Sequence, residues 1–275
     1  MSVRDYYDQY WSAEGFHPTG QRDPAVCRVL QHHIEPRSRV LDVGCGDGLA
    51  AGAFLQERGC DYVGADVSEN AVREASDNGF RASLIDDAAS LPFADNEFDA
   101  VVSMEVIEHL LYPLNAVQEA LRVLKPGGIL LLTTPNTTYW RLRLDMLLLG
   151  KWNPLGDDLA VEQPWRDPHI RFFTTGSLSR MLGAAGCTSI HVGGCKGHFI
   201  KSLPGFQRLF GRYLPAEASW LYRHLEHCWP SALAARLYSM SRKPGVSPQA
   251  SAGKDAGDRA GIESRAEGSL PRNAA

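Results

Sequence analysis

Val40-Leu41-Asp42-Val43-Gly44-Cys45-Gly46-Asp47-Gly48 decides the fold. A short β-prone run ends in a turn with glycine at alternate positions, so the backbone reverses tightly and a ligand can approach it closely. The amphipathic segment that follows, about 48–58, is predicted to be a helix that offers its N-terminal amides at the same point. Outward from this turn the alternation continues. Helices are predicted at about 24–35, 69–78 and 112–124, and strands at Arg39–Val43, Tyr62–Asp66, Arg81–Ile85, Ala100–Met104 and Ile129–Thr133. Short apolar strands separated by amphipathic segments specify a mostly parallel sheet covered by helices on both faces, a doubly wound α/β architecture. Ser68 before Glu69 reads as an N-cap, and Lys125-Pro126-Gly127-Gly128 as a helix stop.

Beyond Thr134 the alternation breaks. Residues 135–170 hold four prolines and three tryptophans around the apolar patch Leu142–Leu149 and Trp152, which suits a partly helical insertion acting as lid and substrate wall. Thr174–Ala185 reads as a helix closed by Gly186, and Ser189–Val192 as a further strand. Charge divides the chain. Residues 1–195 carry 16 basic and 26 acidic side chains, 196–243 carry 8 and 2, and 244–275 carry 4 of each. The expected organisation is a ligand-binding domain over 1–195, a basic aromatic segment over 196–243 that completes or flanks the fold, and a disordered tail over 244–275. The basic segment admits three readings: an ordinary part of the fold with an antiparallel strand around Gly197–Ser202, a peripheral membrane surface, or a nucleic-acid contact. The acidic body disfavours the last. The start, MSVRDYYDQYWSAEG, reads as neither a secretory nor a transit peptide, no run nears the ~18 apolar residues of a membrane span, and the six cysteines contain no CxxC pair. A cytoplasmic protein with reduced thiols is expected, membrane-peripheral if the basic segment meets lipid.

Asp66 ends the second strand 22 residues after Gly44, where a carboxylate can accept both hydroxyls of a ribose. Glycine turn and carboxylate together indicate an adenosine-type ligand. The spacing is G-x-G-x-G rather than the dinucleotide G-x-G-x-x-G, and no Lys-Ser/Thr follows for a phosphate loop, so NAD and ATP both drop. The chain resembles the class I S-adenosylmethionine-dependent methyltransferases from about Asp23 to Val192. Beside the glycine stretch the resemblance rests on Gly64-Ala65-Asp66-Val67-Ser68, Asp87–Phe93 with Asn96–Asp99, Met104–Leu110 and Leu124–Gly128. It implies a Rossmann-like sheet of seven strands and S-adenosyl-L-methionine as cofactor. Gly44 and Gly46 would line the methionine moiety, Asp66 hold the ribose, Asp87 and the Ala88 amide meet the adenine, and Met104 pack nearby. Asp42 would either touch the cofactor or orient the glycine turn.

Glu105, Glu108 and His109 follow the fourth strand, and on a helix they would share one face at the pocket mouth. Two carboxylates and an imidazole suit a divalent cation, Mg²⁺ or Zn²⁺, with His169 as a fourth ligand. The ExxEH pattern with a later histidine resembles the metal-dependent small-RNA 2′-O-methyltransferases, and its first half the ubiquinone-biosynthesis O-methyltransferases. Without a metal, His109 or His169, supported by Glu108, would take a proton from the acceptor. Either way the implied reaction is methyl transfer to a hydroxyl on a small-molecule, lipid-linked or glycan acceptor. RNA 2′-O-methylation and a non-catalytic cofactor-binding regulator are the alternatives.

Overall fold

The computed structural model describes residues 2–12, 24–151, 168–195 and 228–245. The expectations for Trp152, for a strand around Gly197–Ser202 and for the far tail lie outside these residues.

In chain order the elements are α1 (Val3–Ser12), α2 (Pro24–His33), β1 (Arg39–Val43), α3 (Gly52–Glu57), β2 (Asp61–Asp66), α4 (Glu69–Asp77), β3 (Ala82–Leu84) and β4 (Phe98–Met104). A 3₁₀ turn (Ile107–His109) then precedes α5 (Pro113–Val123), β5 (Leu124–Pro135), α6 (Trp140–Leu149), α7 (Thr175–Ala185), β6 (Thr188–Cys195), the short α8 (Pro230–Leu233) and β7 (Arg236–Arg242). The seven strands form one sheet in the order β3-β2-β1-β4-β5-β7-β6. The first five run parallel, and β7 lies antiparallel between β5 and β6. Alternation along β1 builds both helical layers. Leu41 and Val43 pack with Val63, Val101 and Leu130 on one face, while Val40 packs with Tyr62, Val102 and Leu131 on the other. Among the described residues, no helix is long and apolar enough to cross a membrane.

Local chemistry sets the boundaries. The Ser68 hydroxyl caps α4 by accepting from the Ala71 amide, and Thr174 and Ser177 form a reciprocal capping box on α7. One expectation needs correction. The helix predicted at about 48–58 begins only at Gly52, because the Asp47 carboxylate accepts from the Leu49 amide at 2.9 Å and holds the intervening residues in a turn. Inside the basic segment an antiparallel strand lies at Arg236–Arg242 and bridges β5 and β6.

Asn136 fastens that late strand. Its fully buried side-chain amide donates to the carbonyls of Pro230 (3.0 Å), Ser231 (3.3 Å) and Ala234 (2.7 Å), and its oxygen accepts from the Thr138 amide (3.0 Å) and hydroxyl (2.7 Å). Truncation would take from the Ala234 carbonyl its side-chain donor, while Pro230 keeps the Ala234 amide and Ser231 the Thr138 hydroxyl. Asn136→Ala is therefore expected to cost about 2–4 kcal/mol, read as a drop in the urea midpoint. A change below about 0.5 kcal/mol would show that the clasp is not what seats β7.

Candidate active site

A cavity of about 680 Å³ opens at the C-terminal ends of β1, β2 and β4, the usual ligand edge of such a sheet. Gly44, Gly46, Asp66, Asp87, Ala88 and Met104 all line it. Gly44 and Gly46 hold φ at +76° and +54°, and a Cβ on either would sit 2.3 Å from Val106 or 2.7 Å from Trp11. Only glycine satisfies both the conformation and the close packing. The Gly44 and Cys45 amides donate to the Ala65 carbonyl at 2.7 and 3.2 Å, locking the turn to the tip of β2. Asp66 completes the lock: its carboxylate accepts from the Gly46 amide at 2.9 Å and the Ser68 amide at 3.0 Å. Burial raises the Asp66 carboxyl above its ordinary range, and those amides oppose the rise.

Asp42 is placed differently. It does not line the cavity; it lies buried one residue short of the strand tip, accepts from the Tyr62 hydroxyl at 2.9 Å, and is pushed up to about 7 by burial.

The sequence reading missed α1. Tyr7, Tyr10 and Trp11 recur at i, i+3 and i+4, one helical face, and all three line the cavity. Trp11 is buried and covers Gly46. Beside this face the Asp8 carboxylate accepts from the Ser68 hydroxyl (2.7 Å) and the Asn70 amide (3.3 Å), while Arg4 reaches the Asp86 carboxylate at 2.5 Å. This short helix thereby touches the glycine turn and the tips of β2 and β3 together. Of the described residues of the expected wall over 135–170, Pro168 and His169 line the cavity and α6 does not. In α6 none of the residues is buried, and Leu147, Leu148 and Leu149 are 78%, 72% and 62% exposed. No residue of α6 lines the cavity; Leu110, Leu111 and Tyr112 join α1 in doing so.

The acidic and histidine residues converge only in part. Glu105 leaves β4 in the left-handed region (φ 56°) rather than starting a helix. Its carboxylate accepts from the Thr133 hydroxyl (2.8 Å) and pairs with Arg236 Nε (3.1 Å). The 3₁₀ turn instead gathers Glu108 and His109 with His169, each offering a ligand atom within 4.8 Å of the others. Glu105 is therefore absent from the group that the spacing had suggested, because its side chain is committed to β5 and β7. The Glu108 carbonyl accepts from the Ile170 (3.0 Å) and Arg171 (2.9 Å) amides, which seats His169 against His109 with ring centroids 4.4 Å apart. His109 Nδ1 faces the Pro168 carbonyl at 3.3 Å. Arg236 also lines the cavity and was not anticipated, since nothing in the sequence revealed which strand would flank β5.

Glu108 is 1% exposed and neither carboxylate oxygen makes a hydrogen bond of full geometry, although the Thr134 hydroxyl and the Arg236 charge favour its ionised form. Burial first, then the neighbouring Glu105 charge, holds its carboxyl well above the ordinary 4.5. An acid whose folded-state value is raised contributes stability that is present below its unfolded value and lost as the pH climbs. Glu108→Gln is thus expected to match the parent in acid and to become more stable than it above pH 4.5. Urea midpoints compared in EDTA from pH ~4 to ~8 test this, and a gap that does not widen with pH would refute it.

The Methyltransferase domain family, Methyltransf_23, matches residues 20–192. The chain is 33% identical over 167 residues to the tRNA (carboxymethyluridine(34)-5-O)-methyltransferase of Arabidopsis thaliana, covering 56% of this chain and 39% of that protein. It is 34% identical over 158 residues to the ubiquinone biosynthesis O-methyltransferase of Dinoroseobacter shibae, covering 54% of this chain and 59% of that one. It therefore spans less than two thirds of either relative. Phosphoethanolamine N-methyltransferase 2 of Haemonchus contortus, solved in complex with S-adenosyl-L-methionine, shares the fold with a TM-score of 0.55 at 17% identity, over 89% of this chain and 60% of that chain. With the family match running over more than half of the sequence, on a sheet of this order, the chain belongs to the class I S-adenosylmethionine-dependent methyltransferases.

Proposed function

We propose that the protein transfers the methyl group of S-adenosylmethionine to a hydroxyl oxygen of a small-molecule, lipid-linked or glycan acceptor that carries an apolar part. One observation carries the reading: the His109–His169 pair stands over buried Glu108 in the same cavity as the glycine turn and Asp66. Both relatives are named for methylation at oxygen. The cofactor, when bound, supplies an electrophilic sulfonium methyl. The chain's residues do the rest. Gly44, Gly46, Asp66, Asp87 and Ala88 would bind and orient the cofactor, with Met104 packed nearby, and α1 would exclude water from it. A carbonyl oxygen only accepts, so Nδ1 of His109 carries the proton shared with Pro168. That leaves Nε2 with the lone pair that can take a hydroxyl proton as the oxygen attacks. Leu110, Leu111 and Tyr112 offer the apolar wall for the acceptor.

A second reading has its own observation. Glu108, His109 and His169 form a compact donor set around a buried carboxylate, and the Nδ1–H contact to a carbonyl is what commonly orients a metal-bound imidazole. These three residues would hold a divalent cation, Zn²⁺ or Mg²⁺, which would lower the pKa of the acceptor hydroxyl. Incubation with methyl-labelled S-adenosylmethionine and fractionated extract tests the main reading. Label is expected as a methyl ether in a lipid or small-molecule fraction or on polysaccharide; label only in RNA, or in nothing, overturns it. The same turnover in excess EDTA decides the cation, since an unchanged rate rules it out.

A further inference from the structure

We propose that Tyr7 is a positioning residue that sets the orientation of His109, so that the helix covering the cofactor also aligns the acceptor side of the site; this rests on the reading of His109 given above. Tyr7 lies in α1 and lines the cavity, and its ring meets the His109 imidazole edge to face at a centroid distance of 6.1 Å and 83°. Such edge-to-face pairs have a preferred geometry and restrain both partners. The ring is itself held, edge-on to Tyr6 at 5.1 Å and to Tyr10 at 6.2 Å. His109 is then bounded by Tyr7 on one side, by His169 on another, and by the Pro168 carbonyl at Nδ1.

What holds Tyr7 in place lies at the cofactor end. Asp8, the next residue, accepts from the Ser68 hydroxyl, and the Ser68 amide donates to Asp66. One turn earlier Arg4 spans the Asp86 carboxylate and the Ile85 carbonyl, beside Asp87 and Ala88. One turn later Trp11 rests on Gly46. A change that seats α1 on these strand tips therefore moves Tyr7 and must reach His109. The coupling runs through a rigid single helix, so no lengthy path between the two ends is needed. The aromatic edge is the working part, which separates the proposal from one in which the phenol hydroxyl reacts.

The experiment needs no acceptor. Protein labelled with ¹³C-histidine is saturated with S-adenosylhomocysteine, and the His109 ring signal is identified by its loss in His109→Gln. Tyr7→Ala is expected to shift or broaden that signal and Tyr7→Phe to restore it, both read at saturating S-adenosylhomocysteine with the affinity measured by calorimetry. A His109 signal unmoved in Tyr7→Ala overturns the proposal, as does a Phe variant displaced as far as the Ala variant. An affinity loss far beyond threefold with an unmoved ring would make Tyr7 a cofactor cover only. If His109 moves as expected and the protein transfers no methyl to oxygen, the positioning stands and the functional reading falls.

Discussion

Asp66→Ala is expected to weaken S-adenosylhomocysteine binding at least about 100-fold, the scale set by removing two charge-assisted hydrogen bonds. The carboxylate has two tasks. It lines the cavity, where it is proposed to hold the ribose, and it also accepts the Gly46 and Ser68 amides that shape the glycine turn and the start of α4. The side chain is 7% exposed, so truncation leaves two amide hydrogens with no replacement acceptor, and a fold cost of about 1–3 kcal/mol accompanies the binding loss. Asparagine is no safe control. Whichever way its amide turns, an NH₂ faces an N–H donor at either Gly46 or Ser68. Asp66→Asn is accordingly expected to fall nearer to alanine than to the parent. Calorimetric titration at a temperature well below the variant's unfolding midpoint separates the two effects, and affinity within about threefold of the parent would remove Asp66 from the ribose site.

The reason Asp66 was legible in the sequence, and Asp42 only half so, is geometric. A carboxylate that ends a parallel strand stands at the ligand edge of the sheet. Asp42 comes one residue before the end of β1, where the pleat turns its side chain to Tyr62 behind the glycine turn. Burial in the two-layer core was equally readable, because Leu41 and Val43 alternate with Val40 at period two. The strand β7 was not. Leu237 and Tyr238 are followed by Ser239 and by Ser241, both wholly buried, so a strand covered on both faces carried no apolar run to announce it.

The same holds for α1 and for the acidic cluster. Val3–Ser12 is a polar helix with a single buried residue, Trp11, and its aromatic face acquires meaning only once the glycine turn and the tip of β2 lie beneath it. Glu105, Glu108 and His109 carry helical spacing, which would have gathered all three on one face of a helix. Packing overrides it: Val106 closes onto Gly44, and the Glu105 amide is drawn to the Thr133 carbonyl, which places Glu105 in the left-handed region and leaves only a 3₁₀ turn. Glu105 is consequently turned to Arg236 while Glu108 goes inward. The residue types of the site were visible in the sequence, but the partition of the two carboxylates depends on strands that are remote in the chain.

That partition makes His109 the residue on which turnover should depend most. His109→Gln is expected to lower kcat by about 10²–10⁴, the range for loss of a positioned proton acceptor, with S-adenosylhomocysteine affinity altered less than about threefold. Glutamine keeps much of the volume beside Tyr7 and can still donate toward the Pro168 carbonyl, but it lacks the basic Nε2 nitrogen. His169→Gln should cost less if His169 only packs on His109 at 4.4 Å, and as much if both histidines act as one unit. In the second case the double variant will be no slower than either single one, because residues that act together are not additive. Glu108→Gln sharpens the choice. It should gain stability above pH 4.5 and lose turnover at the same pH, the opposed changes expected where a buried carboxylate is retained for its chemistry. Turnover in His109→Gln within about threefold of the parent would remove this residue from the reaction and return the choice of proton acceptor to His169.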